Sequence, residues 1–307
     1  MANSNGWGDG AANNSIGWGQ GANNSIGWGD SHAKSWAGAT DIVGIDSDAQ
    51  AFITAAAITD PTQQTAIENL VKGMKTDGTW TKMKAVYPFV GGTATTHKWN
   101  LKDPRDLDAA FRLVFNGGWT HSSNGATPNG VNAYADTRLN VLSNMSSYNA
   151  HMSLYNRTQS SGNILDIGAY DIVPPLNYVN EIWRTFGATS RAMNGIQTND
   201  ADRFVVNYTG TPNIQAYYIW NTPSQSKQTI FRNNAKLGEQ TITINAVARP
   251  NFNIYIGALL LNGNSNPILL SNRQTAFSSI GDGLTDTEAA NLYSRVQAFQ
   301  TSLSRQV

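Results

Sequence analysis

The groups in this chain whose types could do chemistry are carboxylates, imidazoles and loop aromatics. Glutamate occurs four times, at Glu68, Glu181, Glu239 and Glu288. Cleaving a glycosidic bond needs two carboxylates facing that bond. Glu68 and Glu288 fall in helical patterns, however, and Glu181 and Glu239 stand alone. His32, His97, His121 and His151 are never closer than 24 residues and share no local motif with a carboxylate, so neither a zinc site nor a histidine-activated nucleophile is spelled out. Carbohydrate binding asks for less, an aromatic face to stack on sugar C–H groups with amides nearby. Trp119, with His121, lies in the polar stretch Gly117 to Gly130 and is the leading candidate, followed by Tyr178 and Trp183. Each has a competing role as a packing group, and Trp220, in the apolar run Ile214 to Trp220, is assigned to the core.

These residues would be positioned by strands. From Arg203 to Ser279 short alternating runs follow one another: Phe204, Val206 and Tyr208, then Ile214 to Trp220, Thr229 to Arg232, Ala235 to Leu237, Phe252 to Leu261 and Pro267 to Leu270. Asn233-Asn234 between two of them tolerates the positive φ of a two-residue hairpin turn. Further strands are expected at Ala109 to Phe115, Asn132 to Thr137 and Ser147 to Arg157. This density of strands, spaced by Gly, Pro, Asn and Ser, predicts an antiparallel jelly-roll sandwich from about residue 91 to 283.

Helices flank it. Asp60 caps and Pro61 opens a helix reaching Lys75, with Ala66, Ile67, Leu70, Val71 and Met74 as its apolar stripe, and Asp48 to Ile58 precedes it to form a small αα-hairpin. Near the end, Thr285 followed by Glu288 is a capping box, and Ala289, Leu292, Val296, Phe299 and Leu303 recur at helical steps. That seam either packs on the sandwich or the hairpin, or joins copies of the chain in a trimer.

The first 44 residues differ in kind. Asn-Gly-Trp-Gly at 5–8 recurs as Asn-Asn-Ser-Ile-Gly-Trp-Gly at 13–19 and 23–29. Its large apolar groups, Trp7, Ile16, Trp18, Ile26 and Trp28, are too few to build a core. Ordering such a segment costs about 1–2 kcal/mol per residue, so a partner must supply the difference. The alternatives are a flexible leader and a multi-point anchoring arm; regular indoles flanked by glycine favour the anchor.

Composition narrows the function. Lys+Arg and Asp+Glu balance at 21 each, so no basic field is available to hold nucleic acid. Lys72, Lys75, Lys82, Lys84, Lys98 and Lys102 are interspersed with acids and read as a solvated face. There are no cysteines. The apolar runs fall short of the ~20 residues that span a bilayer, and the opening residues lack the pattern of a secretion signal, which predicts a soluble protein without membrane insertion.

Ser278 to Glu288 followed by Asn291-Leu292-Tyr293 resembles the closing element of laminin-G-like, concanavalin A-like jelly-roll domains. Phe115 to Ser122 and Gly130 to Thr137 resemble the opening of that domain in virion proteins of tailed phages, especially those infecting Bacteroidetes, whose N-terminal repeats the Asn-Ser-Ile-Gly-Trp-Gly units also resemble. The resemblance implies a mainly β chain in three parts: a repeat arm at 1–44 that anchors to other virion proteins, a helical hairpin and linker at 45–90, and a jelly-roll domain with its closing helix at 91–307. It implies a non-enzymatic phage structural protein, a fibre, spike or decoration subunit assembled in the host cytoplasm, homo-oligomeric and contacting host glycan or other subunits. A polysaccharide-degrading hydrolase and a head, neck or tail component without ligand are the alternatives. The Glu-x-Asp-x-Glu strand typical of the hydrolase branch is absent. Because such domains often hold calcium, Asp103, Asp106 and Asp108 are candidate ligands, against the alternative that Asp103-Pro104 starts a turn with the other two solvated. No other cofactor is expected.

Overall fold

The structure is a computed structural model that describes residues 44–307 apart from 147, 161–163, 174–175, 187–188, 195–197, 200–203, 208–213, 242, 244–250 and 261–265. The repeat arm, with Trp7, Ile16, Trp18, Ile26 and Trp28, lies outside the described residues. Asp46–Val307 is one compact unit.

In chain order the unit contains α1 (Ser47–Ala55), α2 (Pro61–Thr76), β1 (Met83–Tyr87), β2 (Val114–Asn116), β3 (Trp119–Ser122), β4 (Gly125–Pro128), β5 (Tyr134–Asn140), β6 (Ala150–Asn156), β7 (Ile164–Val173) and β8 (Leu176–Phe186). There follow β9 (Thr189–Asn194), β10 (Thr198–Asn199), β11 (Phe204–Asn207), β12 (Ala216–Ser224), β13 (Lys227–Arg232), β14 (Ala235–Thr241), β15 (Asn253–Ile256), β16 (Thr275–Gly281) and α3 (Asp286–Ser302). The strands form two eight-stranded sheets. One runs β14-β13-β12-β6-β16-β4-β3 with β1 also on β16; the other runs β11-β9-β8-β7-β15-β5-β2 with β10 on β8. Every pairing among the described strands is antiparallel, and the mainly β sandwich expected from the strand density is present.

The first sheet is covered on both faces, which explains its nearly continuous burial. On β6 and β12, Met152, Leu154, Tyr218 and Trp220 face the second sheet, meeting Ala135, Leu139, Ile167, Ile254 and Ile256 in one core. The alternating residues Tyr155, Tyr217 and Ile219 point the other way, into a second core built with α1, α2 and α3. A period of two on strands thus feeds two hydrophobic layers. Trp220 is fully buried and stacked on Tyr218, centroids 5.5 Å apart.

The helices start where their caps require. Asp60 accepts from the Thr62 N–H, and Thr285 and Glu288 close the reciprocal box at the head of α3. The α3 seam is consumed inside the chain: Ala289, Leu292, Val296 and Phe299 are buried with α2 and the first sheet, and Arg295 grips Asp77 at the end of α2. The trimer alternative for that seam is therefore not used here. Nor do residues 46–90 stand apart from the sandwich, since β1 lies in the first sheet against β16 and the hairpin shares its outer core.

Local corrections have local causes. Ala109–Phe115 is not one strand: Asp108–Ala110 is a 3-10 turn, Phe111 has φ +57°, and only Val114–Asn116 pairs. Asp108 is drawn to Arg112 and Arg138, and Asn100 holds the Ala110 carbonyl, so the apolar residues reach the core from a loop. The stretch Gly117–Gly130 is a hairpin, β3 with β4, rather than a long loop. The Asn233-Asn234 turn is as expected, with Asn233 at φ +52° between Arg232 and Ala235. Strands β7 to β9 carry no counterpart in the sequence reading.

Candidate functional site

An open groove of about 400 Å³ lies between two segments and is lined by Val131, Asn132, Tyr134, Asn266, Pro267 and Leu270. Its first wall grows from Asn129-Gly130, a turn dipeptide. The Asn129 side-chain carbonyl accepts from the backbone N–H groups of Val131 (2.9 Å), Asn132 (3.0 Å) and Ala133 (3.2 Å). One short side chain therefore satisfies three donors and freezes the loop. Asn129 Nδ2 donates to Asn132 Oδ1 at 2.8 Å, and Gly118 N donates to the same oxygen at 3.1 Å. Gly117 is required beside it. Its φ is +72°, and a Cβ there would sit 2.1 Å from the Asn132 carbonyl oxygen, a contact no side chain survives. Tyr134, the first residue of β5, stacks on Tyr255 of β15 with centroids 4.8 Å apart and planes 15° apart.

The second wall is equally tied down. Leu259 and Ile268 exchange both backbone hydrogen bonds, Leu165 N donates to Leu269 O at 2.8 Å, and Ser271 N donates to Gly257 O. Leu269 itself holds φ +54°, strain that a leucine sustains only where its surroundings over-determine the backbone. Beneath it, Asp166 of β7 forms a buried ion pair with Arg273 at 2.7 Å and accepts from Ser271 Oγ at 2.7 Å. The groove is thus a preformed concavity, of the size that holds small ligands.

Trp119 is adjacent but is not a groove residue. It is half-buried, its indole N–H donates to the Asn116 carbonyl at 3.0 Å, its ring edge meets Phe115 at 5.2 Å, and it lies over Gly257. A ring placed this way packs the sheet. His121 stacks beside it and contacts His97, Nδ1 to Nδ1 at 2.9 Å. Tyr178 and Trp183 fall on β8, and their side chains lie outside the described ones.

The acidic triplet does not converge either. Asp103 is held by Arg105, Asp106 by Lys98 and Arg112, and Asp108 by Arg112 and Arg138. The neighbouring cations hold Asp103 and Asp106 below the usual carboxylate range. Each carboxylate is paired with one or two cations, Arg112 being shared by Asp106 and Asp108, and among the described residues no group of three acids or histidines is arranged to hold a metal ion. The calcium expectation is corrected accordingly. Glu68 takes Lys72 and the Asp46 N–H, Glu239 takes Lys227 and Lys236, and Glu288 caps α3 and faces Lys82. The lysines of the solvated face answer acids in the same way, except that Lys102 donates to the Trp80 carbonyl and lies over its ring, 4.4 Å from the centroid.

Two histidines are buried neutral. His97 Nε2 accepts from the Gly92 N–H at 3.2 Å, which places its proton on Nδ1, facing His121. Burial first, then the charges of His121 and Arg305, push His97 down to about 3. Burial also pushes His151 down to about 4, although its Nδ1 donates to the Asp282 carbonyl at 2.6 Å. An unfolded histidine titrates near 6.5. Below that value the unfolded chain binds protons that the folded chain refuses, so stability contributed by the neutral rings is complete above pH ~6.5 and drains away as pH falls towards 3–4. Unfolding free energies from urea titrations between pH 7 and 5, before most carboxylates protonate, should fall by about 2 kcal/mol per buried ring. A flat profile would contradict the burial of both.

Sequence reasoning passed over the groove because Tyr134 and Pro267 to Leu270 read as ordinary strand residues. Asn129-Gly130 and the run Asn264-Ser265-Asn266-Pro267 were the available signals, since both mark turns.

No known protein family and no curated protein matches the chain. Solved structures similar to it include the Ruminococcus gnavus IT-sialidase CBM40 bound to alpha2,3 sialyllactose, at 10% identity and TM-score 0.34 over 46% of this chain and 80% of that one. A mutant of Trypanosoma rangeli sialidase displaying trans-sialidase activity is similar at 12% identity and TM-score 0.46, over 78% of this chain and 39% of that one. The botulinum neurotoxin serotype D binding domain is similar at 9% and 0.42, over 70% and 52%. At these values no residue correspondence follows; what the chain shows in itself is a mainly antiparallel β-sandwich.

Proposed function

We propose that the chain is a non-enzymatic virion protein of a bacteriophage, an exposed fibre, spike or decoration subunit. In this reading the sandwich presents the groove beside Tyr134 to a glycan or a neighbouring subunit, and residues 1–44 attach it to the particle. The observation that supports the non-enzymatic binding part of the reading is the groove itself, a concavity lined by an aromatic ring, two amides and apolar groups, without a carboxylate; the virion part rests on the resemblance of the repeats and motifs. Such a lining binds without reacting. The hydrolase alternative requires a pair of carboxylates across a cleft, and the described glutamate and aspartate side chains are held by cations or N–H donors instead.

The attachment half is tested by replacing Trp7, Trp18 and Trp28 together with alanine and measuring incorporation into purified particles. Linked weak contacts reinforce one another, so the triple variant should fold, remain free in solution and be missing from particles, while single variants are depleted. Incorporation equal to the parent would reduce the arm to a leader. Release of reducing sugar from host polysaccharide would replace the binding module with an enzyme.

A further inference from the structure

We infer that the groove between Asn129–Tyr134 and Asn266–Leu270 takes an uncharged sugar carrying an N-acetyl group, its acetamido carbonyl held by Asn132. The inference rests on the reading of the sandwich as a glycan-contacting module and adds the class of sugar.

Charge excludes the acidic sugars. A sialic acid or uronate brings a carboxylate, which tight sites meet with a guanidinium or ammonium. The groove lining contains neither. The described arginines on the adjoining elements are spent: Arg138 on Asp136 and Asp108, and Arg273 on Asp166 beneath the floor, where it is 1% exposed.

The polarity of the amide selects a carbonyl. Asn132 Oδ1 already accepts from Gly118 N and Asn129 Nδ2, which fixes the orientation of the amide and leaves Nδ2, a pure donor, as the group an exposed side chain offers. An acceptor oxygen on the ligand answers it. A hydroxyl could do so equally, but the apolar neighbours distinguish the two. Val131 stands 73% exposed on a loop that Asn129 immobilises, and Pro267 and Leu270 face it across the groove. A methyl group next to a carbonyl uses both features at once, and the acetamido group is the common sugar substituent with that pairing. Tyr134, braced by Tyr255, supplies the flat face for the pyranose C–H groups. Since both walls are already fixed, little ordering entropy opposes binding.

The test titrates the full chain by calorimetry with three neutral or acidic probes: chitotriose, cellotriose and sialyllactose. Chitotriose should bind saturably, at least about tenfold tighter than cellotriose, with sialyllactose weakest. Asn132→Asp keeps the oxygen that the loop needs and exchanges the donor for an acceptor, so it should cost at least about tenfold in affinity with an unchanged melting temperature. Tyr134→Ala should do the same through loss of the platform. Preference for sialyllactose, lost in these variants, would overturn the inference while leaving a glycan-binding module. Chitotriose binding indifferent to Asn132→Asp and Tyr134→Ala would overturn the assignment to this groove. Binding of none of the three would overturn the inference and the glycan half of the reading together, leaving the groove to a neighbouring subunit.

Discussion

Replacing Arg305 with alanine should lower the unfolding free energy by about 3–5 kcal/mol. The guanidinium is fully buried, and among the described residues its hydrogen-bond partners are neutral carbonyl and amide oxygens, which solvate the charge in place of water. Its Nη2 donates to the carbonyls of Pro88 (2.7 Å) and Ala276 (3.0 Å), its Nη1 to those of Phe89 (2.8 Å) and Ser123 (3.3 Å), and its Nε to Gln300 Oε1 at 2.6 Å. Burial pulls its pKa down to about 9, so it stays a cation at neutral pH. One side chain thus bonds backbone from the end of β1, the β3–β4 turn and β16, where the β1–β16 and β16–β4 ladders run out. Alanine leaves several carbonyls buried without a donor, at about 1–3 kcal/mol each before relaxation. The melting temperature should fall by roughly 10 °C, at about 2–4 °C per kcal/mol for a unit of this size. Arg305→Lys, with three donors for five acceptors, should recover only part of the loss. An alanine variant within about 1 kcal/mol of the parent would mean that water replaces the guanidinium and that the site is not dry.

The second large effect is expected at Asp166. Asp166→Ala removes the carboxylate that Arg273 faces inside the protein, and breaking one side of a buried pair costs about 3–5 kcal/mol. Asp166 and Arg273 are 3% and 1% exposed, and the carboxylate also receives Ser271 Oγ while the Arg273 Nε donates to Ser160 Oγ at 3.0 Å. The pair ties β7 to the segment entering β16, and that segment is the second wall of the groove. Two readouts therefore follow. Urea unfolding should shift its midpoint with an unchanged slope. Ligand binding at the groove should weaken even at temperatures where the variant is folded, because Leu269 and Leu270 lose the anchor beneath them. The control is the double variant Asp166→Leu, Arg273→Met. Removing both charges should cost clearly less than Asp166→Ala alone, since an apolar pair leaves no buried guanidinium deprived of the carboxylate it faces. Equal losses in single and double variants would show that packing volume, and not the uncompensated charge, sets the cost.

Much of this protein was decided locally and could be read from residue order. Asp60-Pro61 and Thr285 to Glu288 start helices wherever they occur, because a side-chain oxygen three or fewer residues away satisfies the first free N–H groups. The same holds for Asn233-Asn234, and for Trp220, whose apolar neighbours left it no exposed face. Strand density gave the class of the fold for the same reason: short alternating runs must bury one face. What tertiary structure decided is which runs are covered twice. Tyr155, Tyr217 and Phe277 look like half of a sandwich strand and instead meet helices from both ends of the chain, a layer invisible to periodicity because burial on two faces erases alternation. Trp119 and the aspartates at 103, 106 and 108 had the right types for a ligand site, but their partners, Asn116, Arg105, Lys98, Arg112 and Arg138, were set by how the chain returns on itself. The groove shows the same division. Asn129-Gly130 announces a turn, yet its facing wall at Asn266 to Leu270 lies more than 130 residues away in sequence, and only the antiparallel pairing of β5, β15 and β7 sets the two walls side by side.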